Sequence, residues 1–432
     1  MNSNRLLITG GYLIDPSQNF EGKKDILIED GRVKSILKPN QIPSKRPNAE
    51  IFNAEGLWVF PGLVDMHVHF REPGGEEDET LETGARSALV GGVTTVLAMP
   101  NTSPALDNSR ILRSLQKKSK QIPGPHIFFA AAITKKLGGQ ALSDFKALKD
   151  CGVLAFTDDG RPVMDSGLMR KALEKSKEVG SFIISHCEDL NLSQGRPLNE
   201  GDAARRKKIE GAPAASEAVM VSRDLLLAEL TGAHVHIAHV SSKISVQMIR
   251  EAKARGVWVT AEASPHHFSL SEKDIPGCDP NFKMNPPLRS QEDVAAVQEG
   301  LKDGTLDVIA TDHAPHRKSK KAKGIFRAPF GVIGLETSLG LALTHLVHRK
   351  ILTPKQLVER MSGAPARILG LRKKGSLKVG SDADVTILDP NCAWQVMPPF
   401  ASKSSNSPFV GMRLKGRARA TLVGGKVVFH NA

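Results

Sequence analysis

Hydrophobic and polar positions change their period along this chain, and the change divides it into parts. From the start to about Trp58, apolar and polar residues alternate over short spans: "LLITGGYLID", "DILIEDGRVKSIL" and "AEIFNAEGLWVF". Asp30-Gly31 and Glu55-Gly56 mark tight turns between them. The end of the chain reads the same way in "GSLKVGSDADVTILD" and "RARATLVGGKVVFH". These β-rich flanks, residues 1–59 and 372–432, are expected to pair into one small β-sandwich built from both ends of the chain.

Residues 60–371 follow a different pattern. Eight apolar runs recur there: "GLVDMHVH", "VTTVLAMP", "HIFFAAAIT", "GVLAFTDD", "SFIISHCED", "HVHIAHVSS", "GVWVTAEASP" and "LDVIATDHAP". The intervals between them are long enough for helical crossovers, as in "ETLETGARSALVGG" and "SGLMRKALEKSKEVG". Strand and helix repeated eight times predict an α/β fold, a TIM-like (β/α)8 barrel. Ionisable residues gather at the C-terminal ends of the runs, the face on which barrels carry their sites.

Those strand ends hold the candidate chemistry. His67 and His69 are two residues apart, so a strand turns both imidazoles to one face. Alone, such a pair is also an ordinary surface feature. Here His186 ends the fifth run, His239 the sixth, and Asp312 the eighth, while "FTDDG" adds an aspartate at the end of the fourth. Four histidines and two carboxylates suit one or two metal ions, with a carboxylate as the natural bridge. The chemistry that follows is metal-assisted hydrolysis, or its reverse, at a C–N bond, with Asp312 as general base and then acid. Arg71 lies on the face of His67 and His69, and its planar fork suits a carboxylate. Asn101, Asn285, His316 and the backbone of "RAPFG" are further candidates to meet a substrate. His266 and His267 are assigned to packing or to support of the ligands. His126, His234 and His236 have no evident partners, and Cys187 is expected in the core.

Composition narrows the class. With 432 residues, 40% hydrophobic and 24% charged, the chain has the balance of a globular enzyme. No apolar run approaches the roughly 18 residues that span a bilayer. The beginning, "MNSNRLLITGGYLID", lacks a secretory cleavage pattern. Four scattered cysteines without a CxxC pair fit a reduced, cytoplasmic setting. The net charge of +13 raises the question of nucleic acid, but "RRKK" and "HRKSKKAK" carry no interleaved aromatics or module signature. No nucleic acid and no membrane is expected as a partner. The basic stretch after Asp312 is read as a solvated loop, in preference to a mobile lid that steers an acidic substrate.

Taken together, "DMHVHFREPG", "AMPNT", "FTDDG", "SHCED", "AHVSS", "SPHHF", "KMNPPLR", "ATDHAPH" and "RAPFG" resemble bacterial dihydroorotases of the amidohydrolase superfamily, in order over nearly the whole chain. The resemblance implies Zn2+, one or two ions per subunit, and interconversion of N-carbamoyl-L-aspartate with dihydroorotate in pyrimidine biosynthesis. It also implies roles. His67, His69 and Asp312 would serve one zinc, His186 and His239 a second, with an aspartate of "FTDDG" between them. Arg71, Asn101 and His316 would hold the substrate carboxylate, and Asn285 with the Phe330-Gly331 backbone the ring. Hydantoinases carry a carboxylated lysine near "FTDDG", where this sequence has none. A homodimer is expected, and association with aspartate transcarbamoylase is possible in this family. The competing readings are another cyclic-amide hydrolase, of allantoinase or hydantoinase type, and a catalytically silent scaffold for the transcarbamoylase. Intact ligand positions weigh against the scaffold.

Strand alternation also bears on the two aspartates. If Asp159 faces the barrel mouth, Thr157, Ala155 and Val153 share its side, and Phe156 and Leu154 face the helices. The opposite choice sets Phe156 under the metals. Asp159 is therefore the expected bridge, as in the family pattern, and Asp158 beside Gly160 is expected to shape the turn.

Overall fold

The computed structural model describes residues 5–39 and 49–431; parts of the terminal flanks, 1–4, 40–48 and 432, lie outside the described residues. Barrel strands one to three, Leu63–Val68, Val93–Ala98 and His126–Phe129, pair in parallel in that order. Strands five to eight, Ile183–Ser185, Val235–Ile237, Val259–Ala263 and Val308–Ile309, form a second parallel set.

Single bridges join the two sets into a ring. On one side the fourth run links them through Ala131↔Phe156 and Phe156↔Ile183. On the other, Val68 pairs with His313, and the His69 amide donates to the His313 carbonyl at 2.8 Å. The fourth run stays short because Gly152 and Gly160, both at positive φ (94° and 72°), bracket it. The result is the (β/α)8 barrel that the eight runs foretold.

Helices wrap the ring, and their starts are written in the sequence. Thr80 and Thr83 form a reciprocal cap for Leu81–Val90, and Ser290 with Asp293 does the same for Gln291–Asp303. Ser242 caps Lys243–Ala254. Each helix lays an apolar stripe, such as Val246 and Ile249 of the last, on the buried outer face of the strands. Among the described residues, no helix is long and apolar enough to cross a membrane.

The chain ends build two further sheets. One has six strands in the order Lys426–His430, Arg413–Val423, Val385–Gln395, Trp58–Pro61, Tyr12–Asp15, Phe20–Lys23. The other has four: Arg32–Leu37, Asp25–Glu29, Arg5–Thr9, Glu50–Asn53. Ile8, Ile26 and Ile28 of the smaller sheet share one buried cluster with Leu13, Val59, Val385 and Leu422 of the larger. Thr386 ties this unit to the barrel: its Oγ1 donates to Gly92 O at 2.6 Å and accepts from Leu63 N at 3.3 Å.

Candidate active site

The strand ends place the site residues, and three of them sit in strained backbone. Arg71 (φ 57°), His239 (φ 31°) and Asp312 (φ 49°) all adopt the left-handed region that non-glycine residues avoid. At His239 this turn has a visible effect. His236 faces Glu262 from within the strand, so plain alternation would send His239 to the other face. Instead its Nε2 lies 3.6 Å from Asp159 Oδ1.

Four imidazoles surround the Asp159 carboxylate. Its Oδ1 is 3.3 Å from His67 Nε2 and 3.5 Å from His186 Nδ1, and its Oδ2 is 3.4 Å from His69 Nε2. Asp312 Oδ1 completes the group, 3.1 Å from His69 Nε2 and 3.7 Å from His67 Nε2. All six residues are buried. Burial disfavours the carboxylate of Asp159, yet the charge of His67 and the other imidazoles close around it hold its pKa well below the usual range. Asp312 behaves alike: burial opposes its charge, the His69 hydrogen bond and nearby histidines favour it, and its pKa falls to about 2.

Outward partners orient the rings. His67 Nδ1 donates to Glu262 Oε1 at 2.6 Å, His69 Nδ1 to Asn101 Oδ1 at 2.8 Å, and His186 Nε2 to Glu188 Oε2 at 3.0 Å. Each bond orients its ring and turns the opposite nitrogen into the cluster, where a bound cation would take the place of its proton. Hence His67 Nε2 and Asp159 Oδ1 are buried with no hydrogen-bond partner, and His186 Nδ1 stands 2.9 Å from His239 Nε2. Imidazole nitrogens and carboxylate oxygens converging on one dry spot are the donor set of a cation. Two triads within this group, His67–Asp159–His239 and His67–His69–Asp312, have ligand atoms mutually close enough to hold a metal ion.

A cavity of about 220 Å³ opens over these ligands, lined by every candidate residue except His67, which is buried behind it. Arg71 reaches it with its Nε bonded to Pro315 O at 3.1 Å and Nη2 3.2 Å from His316 Nε2. His316 Nε2 also lies 2.8 Å from Phe330 O. Burial, then the charge of Arg71, pushes its pKa down to about 2, so this imidazole is neutral. Asn285 Nδ2 donates to Glu188 Oε2 at 2.7 Å, which ties a cavity wall to the His186 support. Both backbone groups of Gly331 are already engaged: its amide donates to Lys283 O at 3.0 Å, and its carbonyl accepts from Asn406 Nδ2 at 3.0 Å.

A dihydro-orotase-like family model matches residues 56–245, and an amidohydrolase family model matches 243–429. A dihydroorotase of Pelotomaculum thermopropionicum is 49% identical over 429 residues, 99% of each chain. Another, from Syntrophus aciditrophicus, is 47% identical over 98% of this chain and 99% of that one. The chain belongs to the dihydroorotase family. Among solved structures, an L-hydantoinase (dihydropyrimidinase) from Arthrobacter aurescens superposes with a TM-score of 0.88 at 28% identity, covering 98% of this chain and 96% of that one. A D-hydantoinase (dihydropyrimidinase) from Thermus sp. gives 0.84 at 27%, covering 98% and 95%.

Several details of this dihydroorotase-family chain differ from the sequence expectation. Phe156 does face the helices, stacked on Phe145 at 3.9 Å, and Ala155 lies in a different apolar cluster. Below them the order reverses: Leu154 packs with the Ala155 cluster and Val153 with the Phe156 cluster. Gly152 at positive φ ends the strand there and frees Val153 from the alternation. Asp158 accepts from Thr134 N at 3.0 Å, and burial raises its pKa to about 6.

The histidines read as partnerless have partners. His236 Nε2 meets Glu262 Oε2 at 3.1 Å, His234 stacks on Trp258 at 5.0 Å, and His126 lies 3.2 Å from Asp384. His266 and His267 are buried, the latter bonded to Pro286 O at 3.0 Å. Glu262 and Glu188 went unnoticed in the sequence, although Glu262 stands in the middle of an apolar run, an odd place for an acid without a task. The basic stretch is solvated as expected at Arg317, Lys318, Ser319, Ala322 and Lys323, but it is also anchored. Arg317 pairs with Glu77 and Lys320 with Asp78, the Arg317 amide donates to Asp78 Oδ1 at 3.1 Å, and Lys321 is buried.

Proposed function

We infer that this chain is a metal-dependent cyclic amidohydrolase, a dihydroorotase, which opens dihydroorotate to N-carbamoyl-L-aspartate and closes it again. The observation that carries the reading is a half-buried guanidinium, Arg71, lining the same small cavity as His69, His186, His239, Asp159 and Asp312. Among the described residues this guanidinium pairs with no carboxylate, so it is free to take an anion, and the cavity is of a size for one small cyclic substrate. A ring bearing a carboxylate supplies both the anion and the amide.

Zinc is the metal proposed, one or two ions on His67, His69, His186, His239, Asp159 and Asp312, because imidazole with carboxylate suits it. Bound there, it lowers the pKa of water toward ~7 and polarises the amide carbonyl. The Asp312 carboxylate, kept ionised by His69, takes a proton from the attacking water and returns it to the departing ring nitrogen. The C–N bond breaks as that nitrogen is protonated; ring closure runs the same transfers backwards. Arg71 and neutral His316 bind the ring carboxylate. Asn101 turns His69 and, through Nδ2 at 3.4 Å from Asp159 Oδ2, steadies the Asp159 carboxylate. Asn285 and the Phe330-Gly331 wall flank the ring.

The test is an assay of metal-loaded protein against dihydroorotate, allantoin and dihydrouracil. Turnover of dihydroorotate alone is expected. Hydrolysis of the other two without the first would sink the assignment.

A further inference from the structure

Lysine 321 has an unusual setting. Its side chain is buried, and its Nζ donates to three carbonyls: Gly331 O at 2.9 Å, Pro329 O at 3.1 Å and Lys283 O at 3.2 Å. An ammonium has three donors, so these acceptors use all of them. We propose that Lys321 is a positioning residue for the reaction: it holds the Pro329–Gly331 segment as a fixed wall of the substrate cavity. The proposal rests on the reading above, in which that wall flanks the substrate ring.

Three observations support it. First, the bonds are cross-linked: Lys283 O accepts from Lys321 and also from the Gly331 amide at 3.0 Å, so the amine closes a knot around Gly331. Second, the knot holds a conformation that does not persist by itself. Gly331 has φ 123°, and a Cβ there would stand 2.6 Å from the Ala314 Cβ. Third, the same segment is gripped by another buried lysine, Lys283, whose Nζ donates to Phe326 O at 3.0 Å and lies 4.3 Å from the Phe330 ring centroid. Among the described residues, neither lysine forms an ion pair with a carboxylate, and burial with the charge of Lys283 pushes the Lys321 pKa down to about 7. Burying a cation without a counter-charge is costly. A solvent-facing side chain would avoid that cost, so the return is the geometry of the wall. Lys318, one turn earlier and exposed, has no such role.

The experiment compares Lys321→Met, Lys321→Gln and Lys318→Met with the parent, in metal-loaded full-length protein. Steady-state kcat and KM are measured with dihydroorotate, and amide exchange of a peptide covering 326–332 is followed by mass spectrometry. For Lys321→Met, the expected result is a KM raised about tenfold with kcat within about twofold, and faster exchange in that peptide. Lys321→Gln keeps two donors and should fall between the two, which carries the test if the Met variant does not fold. Lys318→Met removes the same charge and should match the parent. A parental KM in both Lys321 variants overturns the proposal, as does a KM in Lys318→Met raised as far as in Lys321→Met. If the parent itself fails to turn over dihydroorotate, the functional reading falls, and unchanged exchange in Lys321→Met then overturns the positioning role independently.

Discussion

Glu262 is where the ligand cluster is most exposed to a single change. Its Oε1 receives His67 Nδ1 at 2.6 Å and the His239 amide at 3.3 Å, and its Oε2 meets His236 Nε2 at 3.1 Å. One buried carboxylate therefore orients one proposed metal ligand by its ring and a second by its backbone. Burial disfavours its charge, but His67 and His236 overcome this and hold it far below the usual range. Glu262→Gln keeps the volume and loses one acceptor. Whichever way the amide turns, its NH2 faces either the His67 or the His236 nitrogen that now donates to a carboxylate oxygen. An unsatisfied buried donor costs about 1–3 kcal/mol, or roughly 5- to 150-fold in an equilibrium constant. Part is relieved when His67 takes its other tautomer, which spends the Nε2 lone pair that faces Asp159. Metal affinity should therefore fall on the order of 10- to 100-fold. Competition against a chromophoric chelator at fixed pH reads this directly, with thermal melting of the apo-protein as the check on folding. Affinity within about twofold of the parent would refute the claim that Glu262 sets the His67 tautomer.

Other outcomes follow from the same geometry. Arg71→Met should abolish measurable turnover of dihydroorotate and leave bound metal unchanged, read by elemental analysis; loss of metal would make Arg71 structural instead. Asp384, buried beside Lys374 at 2.6 Å and His126 at 3.2 Å, has its pKa lowered from 3.8 to about 2 despite burial. A depressed carboxylate pKa adds stability above the unfolded value, here about 2 kcal/mol at neutral pH, and this is lost as pH falls from about 4 through about 2. Asp384→Asn should therefore unfold at lower denaturant at pH 7, and the gap to the parent should narrow toward pH 3. Gly331→Ala forces a Cβ to 2.6 Å from another and strains φ 123°, so it should cost on the order of 1–3 kcal/mol in stability or raise KM, read by melting and kinetics together.

What the sequence made legible was local or periodic. The eight runs carried the barrel, because a short continuous apolar run that ends in an ionisable residue is what a strand buried on both faces and reaching a barrel mouth looks like. Phe156 showed the same logic: a large apolar residue between Ala155 and Thr157 had to face the helices, and it stacks there on Phe145. Where alternation failed, a residue in the left-handed region was next to the failure. Gly152 released Val153 from the pattern, and the φ of 31° at His239 turned a ring that strict alternation would have sent outward. No propensity announces a histidine at positive φ; only the demand of the cluster around Asp159 explains it.

The supports were hidden for a different reason, since each joins residues far apart in the chain. Glu262 lies 195 positions from His67, and Asp78 lies 242 from Lys320. Read linearly, "HRKSKKAK" is a run of like charges, and like charges ordinarily seek water. The fold places an acidic stretch, Glu77 and Asp78, against its first half and three carbonyls around Lys321. Composition counts these cations but cannot say which of them is taken out of solvent. The difference matters chemically, because an exposed lysine adds to a diffuse field screened by salt, whereas a buried one fixes atoms in place. The same distinction separates Arg71 from Arg161. Both line the larger cavity of about 920 Å³ that adjoins the site, but Arg161 is exposed, while Arg71, bonded to Pro315 and touching His316, reaches the inner one as well. Salt should therefore weaken any contribution of Arg161 to substrate capture and leave that of Arg71 nearly untouched.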